Sequence, residues 1–270
     1  MRTKIIYEDK HILVCYKPAG LATQTAKVGQ QDMVSELKNY LAVPRPYLGV
    51  IHRLDQPVEG LLVFAKDNKS AAKLTASLSQ GTLNKQYYAV VCGQPPKKEA
   101  QLVDYLVRDP VTGSAKVVTE VQTEKDDNRE KKHDNPVGEN GRPGKEQNVQ
   151  KAVLQYRVLK QCAITAGSVP EPADASCAAS QDLYTSQAIT LLDIHIDTGR
   201  FHQIRAQMAH AGLPLLGDSR YGDEISGQIS RQLGVRNVAL CAYRIDLKHP
   251  VTGQKLKFEI EPEGKIFKVE

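Results

Sequence analysis

The stretch His52-Arg53-Leu54-Asp55-Gln56-Pro57-Val58-Glu59-Gly60 lies between two apolar runs, Tyr47-Leu48-Gly49-Val50-Ile51 and Leu61-Leu62-Val63-Phe64-Ala65. Short apolar runs bounded by turn residues read as buried strands. Pro57 and Gly60 force the chain to turn between them. A carboxylate placed there is costly to desolvate unless it is paired, so Asp55 needs a partner or a chemical task.

Toward the N-terminus, residues 11–16 read as a strand closed by the turn Lys17-Pro18-Ala19-Gly20. A helix follows from Asp32 as N-cap, with Val34, Leu37 and Leu41 on one face, and Pro44 and Pro46 end it. Past Ala65, the spacing of Ala71, Leu74 and Leu78 predicts a second helix from about Asn68, stopped by Gly81. Strands are expected at 87–92, 153–159, 192–197, 239–247 and 255–260. His195 falls on the polar face of its strand, where a surface histidine is the ordinary reading. A third helix is expected over 200–211.

The strands outnumber the helices and do not follow a strict βαβ rhythm. That favours an α+β fold, a mixed and mostly antiparallel sheet flanked by helices. Two stretches, at about 124–150 and 163–187, nearly lack apolar side chains or are rich in Ala, Ser and Pro. They read as flexible inserts within a single domain spanning 1–270, not as domain boundaries.

Among its 270 residues, 41% are hydrophobic and 25% charged, as in soluble globular proteins. The net charge of +5 suits a polyanionic partner. Five cysteines are scattered without a C-x-x-C pair, which indicates free thiols in a reducing compartment. No secretory h-region and no bilayer-length apolar run occur, so a cytoplasmic protein that does not enter membranes is expected.

The helix over 200–211 carries the next clue. At about 100° per residue, Phe201, Ile204, Met208 and Ala211 form one stripe, and Arg205 lies roughly 80° from its middle. An arginine at that boundary can aim its head into a cleft, or simply snorkel to the surface. Held against Asp55, it would favour the ionised carboxylate that a nucleophile needs. Tyr87 and Tyr88 begin a strand, and an aromatic there is either packing or a stacking platform for a base. His52, His202 and His210 lack metal-ligand spacing. A kinase reading of His52-Arg53-Leu54-Asp55 fails for want of a glycine-rich loop and an Asp-Phe-Gly. Hydrolytic glycosidases want two opposed carboxylates, and only Glu59 is near. One carboxylate beside an arginine fits covalent catalysis better.

On these residues the chain resembles the RluA family of RNA pseudouridine synthases. His52-Arg53-Leu54-Asp55 with Gly60 is similar to the family's catalytic motif, and Lys85-Gln86-Tyr87-Tyr88-Ala89-Val90-Val91-Cys92-Gly93 to its second. Thr198-Gly199-Arg200-Phe201-His202-Gln203-Ile204-Arg205 is similar to the third, and Gly217-Asp218-Ser219-Arg220-Tyr221-Gly222 follows in order. Lys17-Pro18-Ala19-Gly20-Leu21 matches the opening segment. Each motif alone is moderately specific; five in order are strongly so.

The resemblance implies a pseudouridine-synthase-like fold with a central active-site cleft, and an isomerase acting on ribosomal or transfer RNA. Asp55 would be the nucleophile and Arg205 its ion-pair partner. Tyr87 would stack on the uracil, Ile204 would line the pocket, and Arg53 would fill the gap left by the flipped uridine. An isomerisation needs no cofactor and no metal. A monomer without an obligate protein partner is expected. The family's Thr-Ser before the glycine is Val58-Glu59 here, and Gly60 is expected to preserve the backbone path. The chain is expected to begin directly with the catalytic domain, without the S4-type domain of many relatives, and target choice would then rest on the catalytic domain, its basic residues and the inserts. An idle RNA-binding or chaperone module of the same fold is the alternative, and a nucleoside glycosidase a weaker one.

Overall fold

The computed structural model describes residues 2–25, 29–118, 148–164 and 188–268. The two expected inserts lie almost wholly outside the described residues. Eleven described strands form one sheet: β1 (Lys4–Glu8), β2 (Ile12–Lys17), β3 (Gly49–Val50), β4 (Glu59–Ala65), β5 (Asn84–Cys92), β6 (Glu99–Asp109), β7 (Ser114–Val118), β8 (Gln150–Ala163), β9 (Ala188–Ile196), β10 (Leu240–Lys248) and β11 (Lys255–Glu259). Four described α-helices accompany them: α1 (Met33–Leu41), α2 (Asn68–Ser79), α3 (Gln203–His210) and α4 (Glu224–Gln232).

The order across the sheet is β1-β2-β4-β10-β5-β9-β8-β6-β7, with β3 on β4 and β11 on β10. Every pairing is antiparallel except β4 with β10, which is parallel and only two residue pairs long, Cys241 with Glu59 and Ala242 with Gly60. This seam joins the β1–β4 half of the sheet to the β5–β9 half.

Strands β2 and β4 are buried along their whole length, which is why they read as continuous apolar runs. Alternation sends successive side chains to opposite faces. Leu13, Cys15, Leu62 and Phe64 pack with Met33, Val34 and Leu37 of α1 on one face, and the same core takes in Ile204 and Met208 of α3. Ile12, Val14, Leu61 and Val63 pack with Leu74 of α2 on the other. The cleft is lined by the end of α2, at Leu78 and Ser79, and by the start of α3, at Gln203, Ile204 and Arg205.

Asp32 caps α1 by accepting from Ser35 N at 2.7 Å, and Asp67 caps α2 through Ser70 N at 2.8 Å. Both starts were legible. The run at residues 47–51 yields only a two-residue strand, and β1, β6, β7 and α4 were not anticipated. These elements are half-exposed or short, so their apolar pattern is weak.

Gly60 sits at the seam with φ +129, and a Cβ there would lie 2.5 Å from both N and O of Ala242. The β4–β10 approach therefore requires the missing side chain. Gly60→Ala is expected to lower stability by about 3 kcal/mol; an unchanged urea midpoint would show that the seam can give way cheaply.

Val58 is buried in the core beside Leu54, and Glu59 points away from the cleft. Its carboxylate accepts from the Tyr16 hydroxyl, from Glu263 N at 3.3 Å and from Gly264 N at 3.2 Å. Burial, with Glu59 alongside, pushes the Tyr16 hydroxyl pKa up. The Glu59 side chain thus bonds to the segment around residue 263, and Val58 enters the Asp55 turn through its backbone N–H.

Candidate active site

Asp55 begins a tight turn in which Val58 N donates to Asp55 O at 3.0 Å. The turn is held from below. Thr23 Oγ1 donates to Leu54 O at 2.9 Å, and Gly20 N to Gln56 O at 2.8 Å. Lys17, with no exposed surface, donates its ammonium to the carbonyls of Pro18, Leu21 and Gln56 at 3.1, 2.7 and 3.1 Å. Burial pushes the Lys17 amine down to about 7, with the Asp55 charge acting in the other direction.

Across the cleft stands Arg205. Its Nη1 donates to Asp55 Oδ2 at 2.9 Å, joining residues 150 positions apart. Its Nε and Nη2 donate to Asp218 Oδ2 and Oδ1 at 2.7 and 2.8 Å, a bidentate fork. Burial alone would pull the guanidinium pKa down, but Asp218 and Asp55 push it up. Asp218 also accepts from the backbone N–H groups of Arg220 and Tyr221 at 3.0 and 3.2 Å. Gly217 lets this loop close, since a Cβ there would meet Asn237 O at 2.0 Å. Asp218 therefore fixes Arg205, and Arg205 presents one remaining donor to Asp55.

Helix α3 corrects the sequence reading in two respects. It starts at Gln203 rather than Arg200, because His202 adopts a left-handed φ of 52. Phe201 therefore lies outside the core stripe, 39% exposed, stacked on His202 at 3.7 Å and covered by Arg108. Arg205 is not at a core–solvent boundary but buried, like Gln203 and Gln207. Gln203 bonds Arg200 N and Val153 O, and Gln207 Nε2 donates to Asp104 while its Oε1 is buried without a partner. Polar groups anchored in this way can enter a core that an apolar-stripe reading reserves for hydrocarbons.

His202 completes the constellation. Tyr221 Oη accepts from the Ala115 amide at 2.7 Å and lies 2.8 Å from His202 Nδ1, to which its hydroxyl donates in the Nε2–H tautomer of that ring. In that tautomer Nε2 carries the proton and faces Asp55 Oδ2 at 3.6 Å. Burial holds the imidazole below its usual pKa, favouring this neutral form. Both Arg205 and His202 thus address Oδ2. Among the described residues no protein group engages Oδ1, and the carboxylate retains 26% exposure.

A cleft of about 770 Å³ surrounds these groups, lined by Arg53, Asp55, Lys85, Tyr87, Ile204 and Arg205 among others. Tyr87 and Ile204 are 4% and 5% exposed. Burial, reinforced by the Asp55 charge, pushes the Tyr87 phenol up, so it stays protonated. Arg53 points outward and donates to Gln24 Oε1 at 2.9 Å. His195 reaches the cleft wall and pairs with Asp197 at 3.3 Å. All five residues expected at the site meet in one cleft. Asp218, His202, Tyr221 and Lys17 were missed as site residues, although each stands in a motif quoted for the resemblance.

The model for the family described as RNA pseudouridylate synthase matches residues 11–210. Ribosomal large subunit pseudouridine synthase D of Pseudomonas aeruginosa is 30% identical over 273 residues, covering 95% of this chain and 67% of that protein. The tRNA pseudouridine synthase C of Yersinia pestis is 27% identical over 254 residues, covering 94% and 84%. The solved structure of human RNA pseudouridylate synthase domain containing 1 superposes with a TM-score of 0.66 at 16% identity, covering 98% of this chain and 86% of that one, a likeness of fold. No helix among the described residues is long and apolar enough to cross a membrane. By its five motifs in order, its sheet and these matches, the chain belongs to the RNA pseudouridylate synthase family, as an RluA-type isomerase that converts uridine to pseudouridine in RNA.

Proposed function

We propose that this chain acts as a monomeric, single-domain cytoplasmic enzyme on uridines of structured ribosomal or transfer RNA, with Asp55 as nucleophile. The observation that carries this reading is the Asp55–Arg205–Asp218 network in a cleft beside Tyr87. A guanidinium fixed on two sides neutralises the nucleophile without blocking it, because it engages Oδ2 and leaves Oδ1 free to attack. The N1–C1′ bond breaks, the base turns, and a C5–C1′ bond forms. N1 gains a proton and C5 loses one, so the reaction balances without redox change or hydrolysis, and neither cofactor nor metal is needed.

Tyr87 offers a protonated aromatic face for the uracil, and Ile204 closes the pocket against the opposite side. A uridine must leave its stack to reach a carboxylate on a turn of this kind, and Arg53, exposed at the rim, is suited to fill the gap. The relatives named for ribosomal and transfer RNA supply the substrate class.

The test is total RNA from cells lacking this chain, incubated with the purified protein and mapped for pseudouridine by mass spectrometry. New pseudouridine at defined positions is expected. RNA bound but unchanged would point instead to an idle binding module, and release of free uracil to a glycosidase.

A further inference from the structure

Lys85 has no use in the scheme above. It lies on β5 two residues before Tyr87 and therefore on the same strand face, about 6.6 Å along it. It lines the cleft and is 8% exposed. Among the described residues its ammonium makes neither a hydrogen bond nor an ion pair. Burial pushes its amine down to about 8. The two acidic residues of the cleft are engaged elsewhere, Asp55 with Arg205 and Asp197 with Gln155 and His195.

The wall behind Lys85 is also incompletely satisfied. His52 lines the same cleft and its Nε2 accepts from Val63 N at 3.4 Å, so the neutral ring carries its proton on Nδ1. That Nδ1 is buried without a partner. The charge of Lys85 adds to burial in holding His52 neutral. On the far side Gly199 leaves space: a Cβ there would come within 4.0 Å of the Lys85 ammonium.

A buried amine with no counter-ion destabilises the protein that carries it. An amine in that state, beside Tyr87 and in an open cleft, is complementary to an anion brought from outside. RNA brings one with every nucleotide. We propose that Lys85 anchors a backbone phosphate of the RNA strand whose uridine enters the cleft, fixing the sugar beside Asp55 while Tyr87 holds the base. This deepens the RNA reading of the cleft and rests on it.

The test compares the full-length wild-type protein with Lys85→Met and Lys85→Arg, measuring the affinity for a short oligouridylate over a series of KCl concentrations. Each phosphate contact to a single strand contributes about 0.7 to the slope of log K against log salt. Lys85→Met is expected to flatten the slope by about that amount and to weaken low-salt binding about tenfold, whereas Lys85→Arg keeps the slope. In the absence of RNA, Lys85→Met is expected to melt several degrees higher than wild type, because it removes an uncompensated buried charge. Equal slopes for wild type and Lys85→Met would overturn the proposal, as would no measurable binding by the wild type. A lower melting temperature for Lys85→Met would overturn it too, by making Lys85 a structural residue. Equal slopes in a protein that still forms pseudouridine would sink the Lys85 role alone. Absence of pseudouridine from the wild type would sink the broader reading.

Discussion

Asp55→Asn is expected to reduce pseudouridine formation by on the order of 10⁴-fold or more while leaving the fold and RNA binding nearly intact. Asparagine keeps the shape of the side chain and an oxygen able to accept from Arg205 Nη1, now 2.9 Å from Asp55 Oδ2. It removes the charge and with it the nucleophile. The turn does not depend on the carboxylate, because Thr23, Gly20 and Lys17 hold its backbone from the other side. Stability should therefore stay within about 1 kcal/mol of wild type, as for a partly exposed pair. Single-turnover assays on an unmodified RNA substrate, with a parallel binding curve, check both halves of the statement. Undiminished product would remove Asp55 from the chemistry.

Asp218→Asn should do the opposite kind of damage. The Asp218 side chain has no exposed surface and receives two N–H groups from Arg205. The amide of an asparagine would set donor against donor on one arm of that fork. Removing one partner of a buried ion pair typically costs about 3–5 kcal/mol, because the other charge is left unmatched. Here the loop amides of Arg220 and Tyr221 lose charge-assisted bonds as well. Activity should fall with stability, since Arg205 loses the anchor that aims it at Asp55. Urea unfolding monitored by circular dichroism, alongside the activity assay, tests this. A variant as stable as the wild type would show that Arg205 is positioned by something other than Asp218.

The sequence revealed the parts of this molecule that obey simple periodic or chemical rules. The cap at Asp32, the start of α2 near Asn68, the doubly buried β4 and the alternating β11 follow from local pattern. Arg205 and Asp55 were joined by charge logic and by motif order, across 150 residues. Asp218 was not, because nothing local marks an aspartate as the buried end of a fork. That role depends on a loop closed by Gly217 against Asn237. His202 was passed over because a non-glycine residue in the left-handed region cannot be read from periodicity, and the helix was extended through it. Arg205 was expected at a solvent boundary for a related reason: hydrophobic patterning cannot see that its charge is matched twice inside the core.

The β4–β10 seam carries one further implication. Asp55 belongs to the half of the sheet that ends in β4, and Arg205 follows β9 on the other half, so their ion pair also bridges the two-residue join. Position 205 couples cohesion to chemistry, because the guanidinium that meets Asp55 is also forked onto the fully buried Asp218. Position 55, on the exposed end of the same bridge, carries no such burden. Asp55→Asn is expected to give an inactive but well-folded chain, whereas loss of Arg205 or Asp218 is expected to lower stability and activity together. Descendants that abandon catalysis while keeping RNA contact have an open route through Asp55, and a closed one through its counter-ion.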